Sequence, residues 1–206
     1  MTAECLHAGI LTVGGLPGPV SSAEIFNPKT GRSCKIGDLP VATYDLSLCG
    51  NLACGGHDSE YNCSRFDGAG TFTALSVTLR EKRAWHHCWQ LQTGEVLLLG
   101  GYDSTTERLS ADGSSSTPDF DLPYYIGFVL NLITNKNLHC HCRYACGIEL
   151  NGKFIVTGGS ILMQTVAEFT ETGQVTYLAD LQEGRYDHAC SKFVDNNGET
   201  VSFNQK

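Results

Sequence analysis

The chain has 206 residues and a formal net charge of -8, with 41% hydrophobic and 17% charged residues. This balance excludes a disordered chain, which lacks the apolar surface to fold. The acidic surplus repels phosphate backbones, and no apolar run is long enough to span a bilayer, so neither nucleic acid nor membrane is expected as a partner.

Residues 1–19 carry neither a basic start nor a long apolar run and do not read as a secretory signal. Inside that stretch Ile10-Leu11-Thr12-Val13 reads as a buried strand stopped by Gly14-Gly15. A polar loop leads to a second strand, Ala23-Glu24-Ile25-Phe26, and a turn at Asn27-Pro28-Lys29-Thr30-Gly31. Asn and Pro start such turns, and glycine supplies the positive φ they need. Leu39-Pro40 closes the unit.

The same order returns three times. The second copy runs through Leu52-Ala53-Cys54-Gly55-Gly56, Ser64-Arg65-Phe66, the turn Asp67-Gly68-Ala69-Gly70, the strand Thr71-Phe72-Thr73 and Leu79. The third has Val96-Leu97-Leu98-Leu99-Gly100-Gly101, Thr106-Glu107-Arg108-Leu109, Asp112-Gly113 and Leu122-Pro123. The fourth has Phe154-Ile155-Val156-Thr157-Gly158-Gly159, Ala167-Glu168-Phe169, Glu171-Thr172-Gly173, Gln174-Val175-Thr176-Tyr177 and Leu181. A further strand opens each unit. It carries Arg-x-x-His at Arg83-Ala84-Trp85-His86 and Arg185-Tyr186-Asp187-His188, with Tyr44-Asp45-Leu46 as a degenerate copy.

This succession resembles the kelch repeat: an Arg-x-x-His strand, an apolar strand ending in Gly-Gly, a third strand of which Glu24-Ile25-Phe26-Asn27-Pro28 and Arg65-Phe66-Asp67 are versions, a glycine turn and a last strand. The last strand lacks the usual Trp in every copy, so the repeats are divergent. The resemblance implies an all-β, kelch-type β-propeller of about four blades, a single domain over residues 1–206. Its units are 10–40 together with 185–201, 44–79, 83–123 and 143–182. Either the terminal strands pair to close the ring, giving a monomer, or the chain is an open fragment of a larger propeller and self-associates. The interval from Gly101 to Gly159 is about 15 positions longer than the repeat predicts, which marks residues 128–143 as an insertion. That segment and residues 202–206 match no repeat element, so neither is read as certainly native to the chain.

Ten cysteines favour disulfides and an oxidising, extracellular setting over the cytoplasm. Cys54 and Cys63 flank one Gly-Gly loop and are placed for a hairpin disulfide; Cys34 and Cys49 are a second candidate pair. Cys88, Cys146 and Cys190 recur at matching positions and read as packed core thiols. Asn62-Cys63-Ser64 is a glycosylation sequon, meaningful in a secreted protein. His139, Cys140, His141, Cys142 and Cys146 include zinc-ligand types, but their spacing is not that of paired structural ligands, and the segment reads as a loop with incidental thiols.

A residue that recurs at a repeat position is more often structural than catalytic, so His86 and His188 are read as packing residues. Arg83 and Arg185 are expected to donate to backbone carbonyls within their blades. No catalytic, cofactor-binding or metal-binding residue is assigned, and no cofactor is implied. The expected function is a non-enzymatic protein–protein interaction module that presents propeller loops to a protein partner. One alternative is a copper enzyme resembling galactose oxidase, although Tyr124-Tyr125 and His86-His87 do not match its two-Tyr, two-His set residue by residue. Another is a secreted propeller that binds glycans or other ligands.

Overall fold

The computed structural model describes residues 10–16, 18–122, 145–158 and 164–184. Among them there is no helix; four antiparallel sheets are arranged as a four-bladed β-propeller. Blade 1 holds β1 (Ile10–Val13), β2 (Ala23–Asn27) and β3 (Arg32–Lys35). Blade 2 holds β4 (Ser47–Cys49), β5 (Leu52–Cys54), β6 (Asn62–Phe66) and β7 (Phe72–Thr78). Blade 3 holds β8 (His87–Gln90), β9 (Val96–Leu99), β10 (Thr105–Leu109) and β11 (Ser116–Asp121). Blade 4 holds β12 (Ala145–Leu150), β13 (Lys153–Gly158), β14 (Val166–Phe169) and β15 (Val175–Tyr177). Within each sheet the chain order is the spatial order. The expected return of residues 185–201 to blade 1, and the question of closure, lie outside the described residues.

Burial explains why the Gly-Gly strands are apolar throughout. Every residue of β9 is buried. Leu97 and Leu99 face blade 4, packing with Trp89, Phe154, Val156 and Phe169. Val96 and Leu98 face blade 2, packing with Cys49, Leu52, Cys63 and Leu79. Alternation puts successive side chains on opposite faces, and both faces are covered. Ala53, Phe66 and Phe72 of blade 2 turn the other way, towards Ala23, Ile25 and Ile36 of blade 1. Three cores therefore lie between blades. Fully burying one Leu or Phe contributes about 1.5–3 kcal/mol.

Each blade is closed by the same devices. Leu39, Leu79, Leu122 and Leu181 donate their N–H to the carbonyls of Ser21, Tyr61, Ser104 and Gln164. Each bond ties the end of its unit to the segment leading into β2, β6, β10 or β14. At the head of each turn a short polar side chain accepts from backbone N–H groups: Asn27 from Lys29 and Thr30, Asp67 from Ala69 and Thr71, Ser110 from Ser114 and Ser115, Thr170 from Gln174. These N–H groups hold the Asp67 carboxyl below its ordinary value, Thr71 first and Ala69 second. Gly31, Gly70, Gly113 and Gly173 all take positive φ, as the turn reading requires.

Neighbouring blades are stitched at these turns. Arg65 donates to the Ala111 carbonyl of the next blade at 2.9 Å, and Arg108, its counterpart in the repeat, to the Glu171 carbonyl at 2.8 Å. Between blades 1 and 2 the link is a backbone bond, Gly37 N–H to Gly70 O at 2.7 Å.

Three expectations are corrected. Arg83–His86 is not a strand: β8 begins at His87, and Trp85 at φ 57° breaks the extended run. Asp45, at φ 57°, does the same before β4. Cys34 does not pair with Cys49. Cys49 bonds to Cys88, joining the first strands of blades 2 and 3, so Cys88 is no free core thiol. Cys34 is also disulfide-bonded, to a partner other than Cys49. The hairpin pair Cys54–Cys63 is present, its two residues facing each other across β5 and β6.

Candidate functional site at the Gly-Gly end

The Gly-Gly pairs stop their strands at one end of the blades and bring the loops of adjacent blades together. Gly15 N–H donates to Thr43 O at 2.9 Å, and Gly56 N–H to Arg83 O at 2.7 Å. The repeat frame thus holds in space: Thr43 stands where Arg83 stands, and Leu46 where His86 stands. A Cβ on Gly56 would fall on the Thr43 hydroxyl and within 2.7 Å of the Tyr44 carbonyl, so only glycine allows this approach.

Arg83 anchors the loop that follows. It is 1% exposed and donates to the carbonyls of Gly100 at 2.6 Å and Thr105 at 3.1 Å, as expected of it. The sequence did not mark its partner Glu107, also 1% exposed, whose Oε2 lies 3.3 Å from Arg83 Nε. Glu107 Oε1 accepts the Arg80 N–H at 2.7 Å and the Ser116 hydroxyl. A buried ion pair survives only with its remaining hydrogen bonds satisfied, and here they are.

His86 is 5% exposed, with Nε2 2.5 Å from Ser47 Oγ. Burial pushes its pKa down to about 3, helped by the charge of Arg83 and by His87. The pair has the residue types of a nucleophile and its base, yet both lie inside the packing, where His86 stays neutral. It reads as a structural contact, in line with the repeat argument.

What the loops display is aromatic and acidic. His57 follows Gly56 directly, and Tyr102 follows Gly101. The His57 ring stacks on Tyr44 at 4.5 Å and meets the edge of Trp85 at 4.4 Å. Tyr102 packs against Trp85 at 5.4 Å and donates its hydroxyl to Glu60 at 2.8 Å. Burial first, then the bond to Glu60, raise the Tyr102 pKa well above the ordinary phenol, so it stays protonated at physiological pH. Asp45 Oδ2, a buried atom, lies 3.9 Å from His57 Nε2 and has no hydrogen-bond partner among the described residues. Lys82 meets the other Glu60 oxygen at 3.4 Å. Backbone bonds hold the frame: His57 N–H to Tyr44 O at 2.9 Å and Trp85 N–H to Asp45 O at 3.0 Å.

None of these rings was singled out by the sequence reading. The available signal was positional: His57 and Tyr102 directly follow Gly56 and Gly101, and both rings meet Trp85 in the loop that opens blade 3. No group of three or more His, Cys, Asp or Glu positioned for a metal occurs among the described residues. The zinc candidates His139, Cys140, His141 and Cys142, together with Tyr124-Tyr125, His188 and Arg185, lie outside them, as does the side chain of Cys146. No family model matches the chain, and no curated protein matches it.

Proposed function

We propose that the chain is a non-enzymatic, kelch-type binding propeller that holds a protein partner on the loops at its Gly-Gly end. The observation that carries this reading is the partly exposed cluster of Tyr44, His57, Trp85 and Tyr102, drawn from two blades and flanked by Asp45 and Glu60. Tyr and Trp supply large contact area at low entropic cost and dominate interface hot spots. The loops ride on a rigid scaffold, where recognition is commonly placed. The carboxylates and the net charge of -8 favour a partner with a basic contact surface.

The test is cross-linking of the tagged full chain in cells, followed by direct titration of the protein captured. Trp85→Ala is expected to weaken binding by about 2 kcal/mol or more. Tyr177→Ala, on the outer strand of blade 4, is expected to leave it unchanged. A partner indifferent to Trp85→Ala and lost with Tyr177→Ala would overturn the reading. So would a stoichiometric, tightly held copper ion in the purified protein.

A further inference from the structure

We infer that Asn62 is an N-glycosylation site whose occupancy is set by a race with the Cys54–Cys63 disulfide. Asn62-Cys63-Ser64 is the one Asn-x-Ser/Thr triplet of the chain. Asn62 is exposed at the start of β6, where the pairing with β7 shifts register between Asn62 and Ser64. The folded blade therefore has room for a glycan there. The loop of residues 55–61 places that glycan at the Gly-Gly end, two strands outward from β4.

The reaction is a transfer from a lipid-diphosphate-linked oligosaccharide. Asn62 Nδ2 attacks the anomeric carbon, a C–N bond forms, and the C–O bond to the diphosphate breaks. The lipid diphosphate leaves with the bonding pair, and Nδ2 gives up one proton. Nothing is oxidised or reduced in this step. The Cys49–Cys88 and Cys54–Cys63 disulfides support an oxidising compartment, in which such donors are met.

The folded blade is a poor acceptor. Ser64, whose hydroxyl the transferase must read, is paired with Ala53 on one side and Ala74 on the other. Cys63, the middle residue, is 1% exposed and bonded to Cys54. Transfer thus has to precede the pairing of β6. The competing disulfide spans a sequence separation of only 9, a short loop that closes at small entropic cost. Early oxidation draws the sequon into the sheet and ends its use.

The experiment expresses the full chain in the secretory pathway of a eukaryotic cell and reads total intracellular protein, so that folding defects do not hide the result. Peptide N-glycosidase is expected to abolish a slower-migrating form and convert Asn62 to Asp by mass. Ser64→Ala should lose that form entirely. Cys54→Ser, which keeps the sequon and removes the competing bond, should raise its share. No glycan at Asn62 in either wild type or Cys54→Ser overturns the site. Equal occupancy in the two overturns the race. Neither outcome bears on partner binding at the aromatic cluster.

Discussion

His86 shows how much the interior of this propeller asks of a single side chain. Its ring is packed where Gly55 gives it space, with one nitrogen on Ser47. The folded state holds it neutral to about pH 3, whereas the unfolded chain takes up a proton near 6.5. Between those values the unfolded state binds more protons, so stability is complete above 6.5 and is lost as the pH falls towards 3. The slope is about 1.4 kcal/mol per pH unit for one such group. Urea denaturation from about pH 7 to about pH 5, above most carboxylate titration, should show this fall, and His86→Gln should flatten it. Equal slopes in the two proteins would contradict the burial argument. The burial of His86 and the carbonyl contacts of Arg83 were legible because both sit at repeat positions. Glu107 was not, because its counterparts Glu24, exposed, and Ser64 do not repeat its chemistry.

At the scale of elements, the Gly-Gly pairs do two things: they end a strand and admit the next blade's loop. The two effects separate by comparing positions. Gly15 has φ +114° with open space around an added Cβ among the described residues, whereas Gly55 has φ +66° and a Cβ site filled by the Arg83 carbonyl and the His86 ring of the next blade's loop. Gly15→Ala is expected to cost about 1–3 kcal/mol from backbone conformation alone. Gly55→Ala should cost clearly more in the same denaturation assay; equal costs would mean that close approach of blades is not what this glycine serves. Strand order, turns and the four closing leucines were readable because each follows residue type: β-rich apolar runs, Asx or Ser/Thr turn starters, glycine at positive φ. The loop at Arg83–His86 was misread as strand because its break falls on Trp85, and on Asp45 in the earlier copy. Positive φ at non-glycine residues is not written in residue type.

For the whole molecule, the repeat predicted how many sheets there are, and the cores between blades explain why. A blade that is apolar on both faces has to be sandwiched, and β9 is covered by blade 2 on one face and blade 4 on the other. What the repeat could not disclose is which side chains meet between units. Cys54–Cys63 was foreseen because its partners flank one loop. Cys49–Cys88 was missed because its partners are 39 positions apart in different units, and their meeting depends on the first strands of blades 2 and 3 standing together. The aromatic cluster was missed for the same reason: its rings come from consecutive loops that only the ring arrangement brings together.

The Cys49–Cys88 bond is also the most direct check on the architecture. Peptide mapping of the non-reduced protein against the reduced one should recover Cys49 linked to Cys88, a link between two blades, alongside Cys54 linked to Cys63 within one. Recovery of Cys54–Cys63 with Cys49 joined to Cys34, or with Cys49 and Cys88 both as free thiols, would contradict the placement of blades 2 and 3 side by side around an axis.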